Sequence, residues 1–389
     1  MVADKVILFP YWLSLKLRNL FYDKGIRKSV RASAPTVAIG NVAVGGTGKT
    51  PHTEMVLSLL GLSDDWAYSN IAMLSRGYKR SSKGFQQVSR DDSASLFGDE
   101  PLQIKKKFPA VTVAVDKDRV EGCSFLCDPS LLQSSKKARS CMDKNVPAAD
   151  VIVLDDALQY RRLRADINIV LVDWATPPFK DALLPLGRLR DLPERIKAAD
   201  YLIVTKCPAY MEDWERMQWA KSLGISDYSP QSCEGTFRGG KKVHLLFTNI
   251  VYCPMEPVFP SGDTHYIYSK KLILFSGIAK DTPLRRHLSD KYQVIREFSF
   301  PDHHRYSASD VASINSAAQA NPTAVVVTTQ KDSQRMLDCK KVPENLQSRM
   351  FQVPIKVDFL TDREREVFEA TLLGRLRELR SELARTPRG

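Results

Sequence analysis

The chain has little from which to build a disulfide framework or a structural zinc site. Its seven cysteines are odd in number and scattered through 389 residues, without a C-x-x-C pair. A reducing cytoplasm is the expectation that follows. Also missing is any run near the roughly 18 to 20 apolar residues that a membrane-spanning helix requires, so the chain is not expected to cross a bilayer by itself. No internal repeat or low-complexity segment is present, which excludes a repeat architecture. A guanine-reading N-K-x-D is absent too, because "VTKCP" at 204–208 has the lysine without the aspartate. That argues against a GTPase switch. A nucleic-acid-dependent ATPase is disfavoured because the basic residues are spread along the chain and no module interleaves them with aromatics; no nucleic acid partner is expected.

What is present suits a folded chain of about two domains with ample core: 43% of residues are hydrophobic and 26% charged. The net charge is +12, from 57 Lys and Arg against 45 Asp and Glu. Such an excess favours a polyanionic partner, whether nucleic acid, a phosphorylated substrate or an anionic membrane surface. Residues 1–31 hold seven basic side chains around the apolar stretch Pro10 to Tyr22. The charges follow the apolar stretch and no small-residue cleavage site appears, unlike a secretory signal. A helix there would span only about 20 Å. Tyr11, Trp12, Phe21 and Tyr22 suit a headgroup layer, with Lys16, Arg18, Lys24, Arg27 and Lys28 facing anionic lipid. The alternative is a helix packed on the core through Leu13, Leu17 and Leu20.

Beyond it, short β-rich runs alternate with helical segments, the pattern of a mostly parallel sheet covered by helices. Strands are expected at 35–40, 70–75, 110–115, 150–156, 167–173 and 200–206. Several end in Gly, Ser, Asp or Lys, at the sheet edge where open α/β folds bind ligands. Residues 225–270 read as a linker with a hairpin, and "KLILFSGIA" (271–279) and "AVVVTTQKD" (324–332) restart the alternation. The expected organisation is an amphipathic membrane-associated segment (1–31), a P-loop NTPase-like α/β domain (32–224), a β-hairpin linker (225–270) and a smaller α/β domain (271–389). Phe368, Leu372, Leu376, Leu379 and Leu383 recur at helical spacing near the end, an amphipathic helix docked on a core.

The chemistry starts in "AIGNVAVGGTGKTP", where a strand, a glycine-rich turn and a helix follow one another. In that context Gly45, Gly46 and Gly48 let backbone N–H groups converge on phosphate oxygens. Lys49 neutralises the β and γ phosphates, and Thr50 can ligate Mg²⁺. Val44 to Pro51, with Thr47 among them, is thus the candidate nucleoside triphosphate loop. The pattern G-x-x-x-x-G-K-[ST] asks for glycine where Ala43 stands. "VIVLDDALQY" then ends an apolar strand in Asp155 and Asp156, either the carboxylates of a magnesium shell or a helix N-cap. Arg76 and Arg190 are candidates for holding a phosphoryl group, since a guanidinium forks onto two oxygens, or are solvated surface residues.

These motifs, with "LSRGYKR" (74–80), "GDEPLQI" (98–104), "LLPLGRLRD" (183–191), "PDHHRY" (301–306) and "TTQKD" (328–332) in this order, give a close resemblance to the tetraacyldisaccharide 4'-kinase family of lipid A biosynthesis. The resemblance implies transfer of the ATP γ-phosphoryl group, with Mg²⁺, to the 4'-hydroxyl of a tetraacyldisaccharide 1-phosphate. It implies peripheral contact with the cytoplasmic face of the bacterial inner membrane. It also implies that Asp99 relieves the acceptor of its proton, supported by His303, and that Asp191 takes part in the metal site. Asp191 stands where the family usually has glutamate, and Leu158 and Tyr160 replace its usual phenylalanine and histidine. Lys331 and Asp332 are expected either to contact nucleotide or to start a helix.

Overall fold

The computed structural model describes residues 2–67, 69–134, 145–278, 281–302, 304–339 and 341–385, with side chains from Leu8 onward. His303 and Cys141 fall outside the described residues. The other cysteines are free thiols.

The expected apolar runs form the centre of an 11-stranded sheet. Its parallel core runs, across the sheet, through Thr112–Val115, Ile71–Ser75, Val151–Asp155, Thr36–Asn41, Ile167–Asp173, Tyr201–Thr205 and Lys242–Tyr252. Strands such as Ile71–Ser75, Val151–Asp155 and Tyr201–Thr205 are buried at every residue, as a parallel sheet covered on both faces demands. Alternate side chains feed the two faces. Val37, Ile39, Met73, Val153 and Ile203 pack with Val56, Leu57 and Leu60 of the helix Lys49–Leu62. Val170, Val172, Leu202 and Val204 face the other way, onto Leu15 of the N-terminal helix Val2–Asp23. Strand order reverses around Thr36–Asn41, which lies between Val151–Asp155 and Ile167–Asp173. At such a reversal a crevice opens beyond the carboxyl ends of the strands.

Two boundaries differ from the sequence reading. The hairpin expected in 225–270 is present but is no linker: Ile225–Ser229 and Glu234–Phe237 pair antiparallel with each other, and Glu234–Phe237 with Lys242–Tyr252, extending the large sheet at its edge. Their solvent-facing positions alternate with buried Ile225, Phe237 and Val243, and that mixture hides a strand from a reading based on apolar runs. Nor does the second domain extend to the C-terminus. Its five-stranded sheet uses Glu256–Pro257, Met350–Val353, Val325–Thr329, Lys271–Ser276 and Gln293–Ser299. After it, Ile355–Phe359 pairs antiparallel with Lys242–Tyr252, and the helix Asp362–Arg385 buries Phe368, Leu372, Leu376 and Leu379 in the core of the first domain. Each of those leucines contributes about 1.5–3 kcal/mol by leaving water, so the helix docks there as an amphipathic stripe.

The N-terminal helix packs by a narrower face than expected. Leu15 and Asn19 are buried, whereas Leu13, Leu17 and Leu20, proposed above as packing residues, are exposed together with Phe9, Tyr11 and Trp12. No described helix is long and apolar enough to cross a membrane.

Candidate active site

The strand Thr36–Asn41 delivers the chain into the loop at the crevice. Gly45 and Gly48 adopt φ of +105° and +87°, conformations open to glycine and costly to residues with a Cβ. Ala43 is not among the positive-φ residues; its backbone bridges Leu189, and Val44 N–H donates to Arg188 O at 2.7 Å. The missing glycine of the phosphate-loop pattern is therefore a position held extended by a neighbouring segment. Two side chains brace the loop: Asn41 Nδ2 donates to Thr47 Oγ1 at 2.8 Å and Thr205 Oγ1 to Thr47 O at 3.0 Å.

Gly48 caps the helix without a side chain, so the first-turn amides of Lys49 and Thr50 have no partner within the helix and Pro51 has none to offer. One turn in, His52 is fully buried between Gly48 O (2.7 Å from Nδ1) and Thr248 Oγ1 (3.1 Å from Nε2). Burial pulls its pKa down to about 4, against the Gly48 hydrogen bond that favours the charged form. The ring is neutral at pH 7, so Nδ1–H donates to the carbonyl and Nε2 accepts from the threonine.

Asp155 and Asp156 end the adjacent strand and separate in character. Asp155 is buried; Ser75 Oγ donates to its Oδ2 at 3.2 Å, while Oδ1 has no hydrogen-bond partner. Burial, then the charges of Glu100 and Asp156, push its pKa up to about 7. Asp156, at φ +50°, receives both Nη groups of Arg190 and lies 3.9 Å from Lys49 Nζ. Burial alone would raise its pKa, but the Arg190 hydrogen bond and the charges of Lys49 and Arg190 prevail and lower it. One carboxylate is thus firmly ionised beside the loop lysine, while burial and like charges leave the other shared between its two forms near pH 7.

The raised pKa of Asp155 has a sign that can be tested. A carboxyl ordinarily at 3.8 that titrates at about 7 in the fold stabilises the protein fully below the lower value and loses that contribution as pH rises through the upper one. In nucleotide-free, metal-free protein, Asp155→Asn is expected to gain in melting temperature over the wild type as pH is raised from about 4 to about 7.5. A difference that stays constant over this range would contradict the assignment.

Across the crevice, the helix Asp99–Lys107 begins with its first two residues turned toward the second domain. Asp99 Oδ1 accepts from Glu100 N–H at 3.1 Å, and Oδ2 pairs with Arg335. Glu100 pairs with Lys331, and that lysine, then Lys49, hold its carboxyl below the usual range against burial and Asp99. Glu100 therefore shares one electrostatic field with Lys49 and Asp155.

The model of the tetraacyldisaccharide-1-P 4'-kinase family matches residues 5–377. The chain belongs to that family. A tetraacyldisaccharide 4'-kinase of Phocaeicola vulgatus is 35% identical over 375 residues, covering 95% of this chain and 93% of the relative. Another from Porphyromonas gingivalis is 33% identical, with 94% of each chain covered. Among solved structures, LpxK from Aquifex aeolicus in complex with ATP superposes with a TM-score of 0.65 at 25% identity, covering 95% of this chain and 99% of that one.

Within this kinase family's frame, several residues lie elsewhere than expected. Asp191 is fully buried against the N-terminal helix: Arg18 Nη2 donates to Oδ2 at 2.8 Å, and Asn19 Nδ2 and Leu192 N–H donate to Oδ1 at 3.1 and 2.9 Å. Both oxygens are spent on anchoring that helix, so the metal role assigned to Asp191 is not what the geometry supports. Arg190 likewise turns its Nη groups to Asp156 and Asn41 Oδ1 (2.6 Å), orienting a carboxylate of the crevice. Arg76 is exposed after buried Ser75, at the edge of the crevice. Leu158 packs in the core, and Tyr160 donates to Asp118 Oδ1 at 2.6 Å. His304, next to undescribed His303, contacts Asp310 Oδ2 at 2.9 Å in the N-cap of the helix Ala308–Ala320.

Sequence reasoning missed Asn41, which joins the loop to Arg190, and Gln159, whose amide donates to Asn41 O at 2.6 Å. It also missed buried Arg119, which donates to Asp155 O at 3.2 Å. Only Asn41 carried a local signal, as the polar end of an apolar strand beside the loop.

Proposed function

We propose that the protein transfers the γ-phosphoryl group of ATP to the 4'-hydroxyl of tetraacyldisaccharide 1-phosphate at the cytoplasmic face of the bacterial inner membrane. The observation that carries this reading is the convergence of the glycine loop, Lys49 and the Asp155–Asp156 strand end at the point of strand reversal, opposite Asp99. In-line transfer forms a bond between the acceptor oxygen and the γ-phosphorus and breaks the bond from that phosphorus to the β–γ bridging oxygen. ADP leaves, and Asp99 takes the hydroxyl proton as the acceptor attacks. The loop amides and Lys49 hold the phosphates, and charge accumulating on them in the transition state meets fixed donors.

The residues fit a magnesium ion. Buried Asp155 has an oxygen without a hydrogen-bond partner, and Thr50 opens the helix beside it. Asp155 and Thr50 are the residues that would hold the ion. When bound there, a magnesium ion would supply positive charge against the phosphates. Asp191 stays outside this shell: Asp191→Ala is expected to cost about 1–3 kcal/mol by stranding Arg18 and Asn19, with the magnesium dependence of turnover unchanged. A raised magnesium requirement would return Asp191 to the metal.

The membrane reading is supported by the N-terminal helix. Phe9, Trp12, Leu13, Leu17 and Leu20 are 38–54% exposed, an apolar surface that an interfacial bilayer layer would cover. A net charge of +12 draws the chain to anionic lipid. The deciding experiment offers labelled ATP with tetraacyldisaccharide 1-phosphate in mixed micelles, beside nucleoside and nucleic-acid controls. A labelled bisphosphorylated lipid is expected, and its absence would sink the proposal.

A further inference from the structure

The second domain meets the helix Asp99–Lys107 through one face of one helix. Gln330, Lys331, Gln334 and Arg335 of Gln330–Leu337, with its C-cap Asp338, fall on that face by helical spacing. Gln330 Oε1 accepts from Gln103 at 3.2 Å, Lys331 pairs with Glu100, and Gln334 Oε1 accepts from Lys106 at 2.8 Å. Arg335 pairs with Asp99, and Asp338 Oδ2 accepts from Ser93 Oγ at 3.1 Å. Interfaces this polar are made and broken readily.

Arg335 is distinguished by how it is held from behind. Its Nη1 donates to Asp332 Oδ1 at 2.8 Å and to Gly277 O at 3.1 Å. Asp332 is fully buried, and its Oδ2 accepts from Gly277 N–H at 2.9 Å and Thr329 Oγ1 at 2.7 Å. The guanidinium is therefore fixed by the second domain's own sheet edge before it reaches across to Asp99. Burial works against its charge, but Asp99 and Asp332 outweigh that and raise its pKa, so it remains a cation. On the Asp99 side, one carboxylate oxygen is set by the Glu100 amide and the other by Arg335.

We propose that Arg335 is a positioning residue for the transfer. The second domain supplies the cation that orients Asp99, so the acceptor-activating carboxylate of the first domain is set only where the two domains meet. This rests on the reading of Asp99 as the group that takes the acceptor proton. A carboxylate free to rotate loses its alignment with the acceptor, and misplacement on the scale of an ångström costs about 10²-fold.

The test uses the full chain with ATP and the lipid acceptor. Arg335→Met is expected to lower kcat about 10- to 100-fold with KM for ATP unchanged, and Arg335→Lys to recover part of the loss, since a point charge replaces a fork. If Arg335 acts through Asp99, the double variant Asp99→Asn/Arg335→Met will be no slower than Asp99→Asn alone. Wild-type kcat in Arg335→Met, or losses that multiply in the double variant, would overturn the proposal. Should the methionine variant not fold, Arg335→Gln serves in its place with the same two outcomes. Failure of the underlying reading is separate and visible: Asp99→Asn alone would then turn over normally.

Discussion

Replacing Lys49 by alanine is expected to slow phosphoryl transfer by about 10²- to 10³-fold at saturating ATP, the usual cost of losing one fixed charge donor in a catalytic site. Lys49 is the first residue of its helix, half-buried, with Nζ 3.9 Å from Asp156. Arg190 also grips Asp156, so loss of the lysine does not strand that carboxylate and the fold should survive. On the proposed reading, the ammonium that would face the transferring phosphoryl group is lost, and nucleotide affinity falls with it. Single-turnover transfer and nucleotide binding, measured together, check both parts. A variant with unchanged rate would remove the phosphate-loop reading itself.

Asp99→Asn is expected to lower kcat by about 10²- to 10⁴-fold, the range of a positioned general base, while ATP binds as before. The separation follows from placement: Asp99 opens a different helix from the loop, and its oxygens are engaged by Glu100 N–H and Arg335. Asparagine keeps the shape and leaves Arg335 its bonds to Asp332 and Gly277. A fall in turnover therefore reports the missing proton acceptor. Normal turnover would mean that another group takes the acceptor proton.

Legibility in the sequence tracked the range of the interactions. The parallel strands showed themselves because burial on both faces forces continuous apolar runs, as in "VIVLDD", and their polar ends marked the ligand edge. The glycine loop was visible because positive φ selects glycine. The antiparallel edge showed only as a hairpin and not as part of the large sheet, since Ile225–Ser229 and Glu234–Phe237 present one face to water and mix polar with apolar residues. In the crevice, the residues that local chemistry singles out, Lys49, Thr50 and the paired aspartates, are brought together at one helix start and one strand end. Arg190, Asp191 and Arg335 are decided by partners 34, 173 and 236 positions away, a separation at which no local pattern speaks. Lys331 and Asp332 stand in the first turn of the helix Gln330–Leu337, as the helix-start alternative had it, and only the pairing of Lys331 with Glu100 lies beyond a local pattern.

The return of the chain to its first sheet has an architectural consequence. Tyr252, where the path leaves that sheet, is the direct antiparallel partner of Ile355, where it comes back, and Cys253 N–H reaches Pro354 O at 2.8 Å just beyond. The two crossings thus run side by side as a paired connection, and the second domain is an insertion into one hairpin. A short turn joining Tyr252 to Ile355 would close that hairpin in the ordinary way. The excised version would retain the glycine loop, Lys49, both strand-end aspartates, Asp99 and the C-terminal helix, and would lose Arg335 and Lys331, the partners of Asp99 and Glu100.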